Sequence, residues 1–168
     1  MAPLPISQPV ADLCDAHADR VRVLSAGPRF FTSAVRFAGP ARLIALHAAD
    51  RSLADSLKRP CPGAVAVVSV SARDVAVFGD GMARDAEANG WAGVVIDGCV
   101  RDVALIRPRS IGVVAAGVAP RIARDGPPGG EVSAMRAFDA WVQAGDWIVA
   151  DEDGVIALDA ALAASLCG

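Results

Sequence analysis

Short apolar runs alternate with turns rich in glycine and proline along this chain. Residues 64–70 form the most apolar run and predict a central strand. Val94-Val95-Ile96 is β-branched throughout, which suits a strand covered on both faces, and 111–118 predicts another buried strand. Between the first two, residues 83–89 are helix formers closed by Asn89-Gly90, a sound C-terminal stop. A buried strand following a helix implies a parallel α/β crossover. Such crossovers place ligands beyond the carboxyl ends of their strands.

Around this middle the pattern is looser. Residues 10–17 predict a short helix with Asp12 and Asp15 facing water, and 20–24 a strand or an extended link. Pro28, Gly39 and Pro40 predict loops, 41–47 a strand, and 50–58 a helix stopped by Pro60 and Pro62. Residues 71–77 lead into Gly79-Asp80, and 102–106 predict a brief helix ended by Pro108. The stretch 119–130, with Pro120, Arg121, Arg124, Pro127, Pro128, Gly129 and Gly130, reads as a mobile or functional loop. Too little chain follows it for a second core. Short strands at 131–135, 137–142, 147–150 and 155–158 then predict an antiparallel meander. Its turns fall at Ala144-Gly145-Asp146 and Asp151-Glu152-Asp153-Gly154, and Asp159 caps a last Ala/Leu helix. The expected fold class is α/β, a layered ββα sandwich with a parallel α/β middle and an antiparallel C-terminal meander. One domain is expected over 1–168.

Composition narrows the setting. The chain has 168 residues, 54% of them hydrophobic, and a mean hydropathy of +0.41. No apolar run reaches the roughly 18 residues of a membrane span. Met1-Ala2-Pro3-Leu4-Pro5 has neither the basic nor the apolar region of a secretion signal, so a cytoplasmic location is expected. A formal charge of −3 leaves no basic footprint for nucleic acid. Cys14, Cys61, Cys99 and Cys167 are scattered and read as free thiols, and neither His17 nor His47 is tied by any pattern to Cys99.

The chemistry gathers at Phe78-Gly79-Asp80-Gly81-Met82 and at Cys99-Val100-Arg101-Asp102. The first backbone N–H groups of a helix lack partners and suit a carboxylate or phosphate, and Gly79 and Gly81 let a small anion come close. Arg101 offers a planar fork for the same kind of oxyanion. Asp102, with Asp80 nearby, is a hard oxygen ligand of the kind that holds magnesium together with water. That set describes a site for an α-keto acid. The plainer reading makes Asp80 a helix cap and Arg101 and Asp102 solvated charges at a helix end. Asp97-Gly98 reads as a structural turn, and the acidic turn at Asp151, Asp153 and Gly154 as a tight hairpin rather than a calcium loop.

At these residues the chain resembles the family of the regulator of ribonuclease E activity A (RraA) and the 4-hydroxy-4-methyl-2-oxoglutarate aldolases. The resemblance rests on Gly-Trp-Ala-Gly-Val-Val-Ile-Asp-Gly-Cys-Val-Arg-Asp at 90–102 and on Asp80 followed after twenty residues by Arg101-Asp102, the signature of the aldolase branch. Pro120-Arg121, Gly130-Glu131-Val132, Ala144-Gly145-Asp146-Trp147, Ala150-Asp151-Glu152-Asp153-Gly154 and the opening Ala11-Asp12-Leu13-Cys14-Asp15 extend it over most of the chain. It implies a swivelling β/β/α domain in a ring-shaped homotrimer, which could pair further into a dimer of trimers. It also implies a Mg2+- or Mn2+-dependent pyruvate-type site between subunits.

By that resemblance Gly79, Asp80, Gly81 and Met82 bind the pyruvyl group, Arg101 the substrate oxyanion, and Asp102 the metal, largely through water. Asp80 supports proton transfer or water ordering. The implied activities are cleavage of 4-hydroxy-2-oxo acids to pyruvate and decarboxylation of oxaloacetate. Two features depart from the family. Residues 68–73, Val-Ser-Val-Ser-Ala-Arg, replace a glycine-rich turn, and Gly81 stands where a larger apolar residue is common. Both are expected beside the pocket. A non-catalytic binding protein acting on an RNA-degrading enzyme, and a decayed or repurposed site, are the competing readings. Retention of Asp80, Arg101 and Asp102 favours the enzyme.

Overall fold

The computed structural model describes residues 5–122 and 127–167. Expectations about residues 1–4, about Arg124 and its neighbours at 123–126, and about Gly168 lie outside the described residues. In chain order the elements are α1 (Val10–Ala16), β1 (Val21–Val23), β2 (Arg29–Phe30), β3 (Phe37–Leu46), α2 (Arg51–Leu57) and β4 (Val65–Val70). There follow β5 (Ala76–Phe78), α3 (Asp80–Ala88), β6 (Gly93–Val100), α4 (Val103–Ile106) and β7 (Gly112–Val118). The tail holds β8 (Gly130–Glu131), β9 (Ala134–Ala137), β10 (Ala140–Gln143), β11 (Trp147–Asp151), β12 (Gly154–Leu158) and α5 (Ala160–Leu166).

The α/β expectation holds, and the middle of the sheet explains why. β3, β4, β6 and β7 run parallel side by side, extended antiparallel by β11, β12 and β1 on one edge and by β2 on the other. In β4 the side chains of Ala66, Val68 and Val70 pack with α2 and α3, while Val65 and Val67 pack with the β9–β10 hairpin. Burial on both faces removes any polar alternation, so the sequence shows an unbroken apolar run. Helices thus cover one face of the central strands and the β9–β10 hairpin lies on the other. α1 and α5 pack separately with residues of β11 and β12.

The caps follow their chemistry. The Asp50 side chain accepts from the Ser52 N–H at the start of α2, and that of Asp159 from the Leu162 N–H at the start of α5. The acidic turn between β11 and β12 is the tight hairpin expected. Asp151 there is buried and accepts from the Asp153 N–H and, across the fold, from the Val10 N–H.

Four expectations are corrected. Gly39-Pro40 lies inside β3 rather than in a loop. The strand pairs with β11 up to Pro40 and with β4 from Ala41 onward, so the residue without an N–H sits where the ladder changes partner. Asp97-Gly98 does not turn; β6 runs through it to Val100. The strand expected at 137–142 is broken by a two-residue turn at Phe138-Asp139, both with positive φ. The tail is therefore two hairpins, β9–β10 and β11–β12, in different sheets and not one meander.

Two of these corrections share a cause. Asp97 is 7% exposed as a residue, and its carboxylate accepts from the Phe138 N–H at 3.1 Å. It also takes two hydrogen bonds from the Arg73 guanidinium. That bonding, set against the cost of partial burial, raises the proton affinity of Arg73 above the ordinary arginine value. An Asp satisfied inside a strand has no reason to bend the chain, and its grip on the Phe138 N–H fixes the tight turn opposite. Asp97→Ala is expected to lower stability by about 2–3 kcal/mol, because a buried N–H and a guanidinium lose their acceptor. Arg73→Ala, at a more exposed position, is expected to cost less. Thermal and urea melts of the two variants check the order.

Candidate active site

The site is built by two parallel strands ending side by side. β5 pairs with the last residues of β6, with Ala76 opposite Cys99 and Phe78 opposite Val100. Beyond β5 the chain enters α3 through Gly79, and beyond β6 it enters α4 through Arg101 and Asp102. The Arg101 N–H donates to the Phe78 carbonyl at 2.9 Å, locking the two strand ends together. On the far side of β5, Ala76 pairs with Ile122.

Asp102 is the distinctive residue. It sits in the left-handed region, φ 58° and ψ 35°, where a non-glycine residue costs about 1–2 kcal/mol, and Asp is among the few that visit it. This conformation ends β6 and starts α4 at once: the Asp102 carbonyl accepts from Leu105 and Ile106. The carboxylate is left out of the capping and turns back over Gly79. A Cβ built on Gly79 would lie 2.6 Å from Asp102 Oδ2 and 3.5 Å from Arg101 Cγ. Glycine leaves the space that these acidic and basic side chains occupy, and a larger residue would displace them. Arg101 Nε stands 3.6 Å from Asp102 Oδ2, with both side chains a little over a third exposed.

Phe78, Gly79, Gly81, Met82, Arg101, Asp102 and Ile122 line a cavity of about 160 Å³, the share of about five water molecules. Met82 and Ile122 also line a neighbouring cavity of about 540 Å³ with Ala49, Asp50, Arg51 and Ala54. Residues 71–73 line neither. The Ser71 and Ala72 N–H groups donate to the Leu46 and His47 carbonyls, and Arg73 reaches Asp97. Of the two departures from the family, only Gly81 adjoins the site.

Asp80 is not where it was expected. It opens α3, with Gly79 as the cap residue, but its carboxylate does not face the small cavity. Oδ1 accepts from Arg109 at 2.6 and 3.2 Å, and Arg109 also reaches Glu87 at 3.3 Å. Arg109 was missed from sequence, where nothing marks it among Arg107-Pro108-Arg109. Cys99 takes no part: its thiol donates to the Arg73 carbonyl at 3.3 Å, and all four cysteines are free.

Among the described residues no three of His, Cys, Asp and Glu gather as a metal cage. A cation at this site would rest on Asp102, whose carboxylate makes no capping bond. One carboxylate with water in the other positions is how magnesium is commonly bound, so the donor set fits that ion.

The sequence profile of the RraA-like family, described as Aldolase/RraA, matches residues 10–157. The chain belongs to the RraA-like family. A protein of Alkalilimnicola ehrlichii named "Putative 4-hydroxy-4-methyl-2-oxoglutarate aldolase" is 39% identical over 153 residues, 90% of this chain and 94% of the relative. A Geobacillus kaustophilus structure described as an S-adenosylmethionine:2-dimethylmenaquinone methyltransferase superposes with TM-score 0.85 at 31% identity, covering 90% of this chain and 95% of that one. The RNA-processing inhibitor RraA from Thermus thermophilis gives TM-score 0.84 at 28% identity, covering 91% and 93%. No helix among the described residues is long and apolar enough to cross a membrane.

Gly79→Ala forces the Asp102 carboxylate off its seat. Because the Asp102 side chain is about 40% exposed and can swing outward, the stability cost is expected to stay near 1 kcal/mol, the low end for overpacking. A crystal structure of the variant should show Asp102 and Arg101 displaced.

Proposed function

We propose that this RraA-like chain is a divalent-metal-dependent carbon–carbon lyase, cleaving 4-hydroxy-2-oxo acids to pyruvate and decarboxylating oxaloacetate. The observation that carries the reading is the seating of Arg101 and Asp102 over Gly79, at the rim of a cavity of three-carbon scale. The name of the Alkalilimnicola relative supports it.

In this reading the substrate carboxylate approaches the unpaired N–H groups at the start of α3, where the glycines leave the backbone open. Arg101 faces the 2-oxo oxygen and stabilises the negative charge that develops there. A bound Mg2+ or Mn2+, held at Asp102, supplies Lewis-acid polarisation of the oxo group. When the C3–C4 bond breaks, its electron pair passes to C3 and is delocalised onto the oxyanion facing Arg101. The 4-hydroxyl loses its proton as the departing fragment becomes a carbonyl compound, and protonation of C3 completes pyruvate. Loss of carbon dioxide from oxaloacetate leaves the same enolate, so one site serves both. A homotrimer belongs to the same proposal; solution mass should be about three times the 17.1 kDa of one chain.

The likeness to the Thermus RNA-processing inhibitor supports a second reading, a non-catalytic binding protein. The two separate on activity. With Mg2+, coupled lactate dehydrogenase assay is expected to detect pyruvate from a 4-hydroxy-2-oxo acid or from oxaloacetate. Asp102→Asn removes a charge while keeping a residue that tolerates the left-handed backbone. It should abolish turnover with Tm little changed. Arg101→Ala should cost about 10²–10³ in kcat. Absence of metal-dependent pyruvate release across a panel of such acids favours the binding protein.

A further inference from the structure

The two aspartates of the site separate onto opposite sides of the α3 entrance. Asp102 lies over Gly79, whereas Asp80 borders a different cavity, of about 340 Å³, with Glu87, Ala104, Leu105, Pro108 and Arg109. That cavity shares no residue with the one lined by Arg101 and Asp102. We infer that Asp80 is a positioning residue that acts through Arg109, and that Arg109 is the strut setting the spacing between the α3 backbone and the Arg101–Asp102 pair. This deepens the lyase reading and rests on it.

The geometry is that of a clamp along one helix face. Asp80 and Glu87 lie seven residues apart, two turns of α3, and so point the same way. Arg109 spans them, with Nε and one terminal nitrogen on Asp80 and the other terminal nitrogen on Glu87. The Ser110 N–H adds a bond to Glu87 at 2.7 Å. All three side chains are about a quarter to a third exposed, less than those of Arg101 and Asp102. The Asp80 and Glu87 bonds raise the proton affinity of Arg109 above the ordinary arginine value, with partial burial opposing them.

Arg109 belongs to the segment that Asp102 begins. Its N–H donates to the Ile106 carbonyl, and the Ile106 N–H to the Asp102 carbonyl. The clamp therefore fastens the far end of α4 to α3, while the Arg101 N–H to Phe78 carbonyl bond fastens the near end. Between those two ties the seat of Asp102 over Gly79 cannot drift. A guanidinium fork bridging two carboxylates suits this work, since its planar geometry fixes direction as well as distance. A carboxylate already bonded to Arg109 and turned from the cavity is poorly placed to move a substrate proton. Asp80 thus serves the anion site at one remove, and the expected role in proton transfer passes from it.

The test uses Asp80→Asn, Arg109→Gln and the double variant in the full chain, with kcat and KM for Mg2+-supported pyruvate release. Each single change is expected to lower kcat by about tenfold or more through misplacement, and the double to lose no more than the worse single. The pH profile of kcat in Asp80→Asn should keep the wild-type shape. A profile that loses one limb in Asp80→Asn, with Arg109→Gln within twofold of wild type, would overturn the inference. If Arg109→Gln does not fold, Arg109→Lys, which keeps the charge and loses the fork, carries the same comparison.

A wild-type protein that releases no pyruvate would sink the lyase reading but not leave the strut untested. Hydrogen exchange then decides it at the Ala83 and Arg101 amides, which donate to the Gly79 and Phe78 carbonyls. Exchange about tenfold faster in Arg109→Gln supports the strut, and unchanged protection contradicts it.

Discussion

The candidate site depends on how closely the Asp102 carboxylate approaches Gly79. The approach combines a left-handed aspartate, a residue without a side chain, and two parallel strands that end level with each other. Remove any one and the carboxylate either swings into solvent or is consumed as a cap. The αL backbone at Asp102 is unfavourable locally and persists because α4 and the Arg101–Phe78 bond hold it from both sides. That strained backbone lies beside the small cavity that Arg101 also lines.

The sheet provides the rigidity behind that contact. β6 has β7 along one edge and β4 followed by β5 along the other, and on the β5 side its carboxyl end is held by Ala76 and Phe78, both almost completely buried. Asp97 contributes from inside the strand. Its bonds to Arg73 and Phe138 tie β6 to the loop after β4 and to the β9–β10 turn on the opposite layer. The glycine-free stretch at 68–73, the end of β4 and the residues after it, is thereby part of the scaffold and not of the cavity wall.

How much of this could be read beforehand follows the range of the interactions. Buried parallel strands announce themselves through unbroken apolar runs, and the caps at Asp50 and Asp159 through local turn chemistry. The Gly79, Arg101 and Asp102 grouping was legible because strand ends and helix starts are marked by neighbouring residues. What escaped was long-range. Asp97-Gly98 has the composition of a turn, yet Arg73 lies 24 residues away, and the Val70 side chain packs where a Cβ on Gly98 would stand. Phe138-Asp139 has no glycine or asparagine to signal its positive φ values. Asp80 is expected near Asp102 from sequence, but its carboxylate turns to Arg109, which is 29 residues on and reachable only once α4 has folded back.

The central claim is that Arg101 and Asp102 jointly hold a small oxo-carboxylate and a hard cation above the glycine at the start of α3. A crystal structure grown with Mg2+ and oxalate, a two-carbon mimic of the pyruvate enolate, addresses it most directly. The account predicts Mg2+ on the Asp102 carboxylate, directly at about 2.1 Å or through one water, with oxalate between the cation and the Arg101 guanidinium. Oxalate bound elsewhere, or a cation that ignores Asp102 while the Gly79 seat stays as it is here, would contradict it.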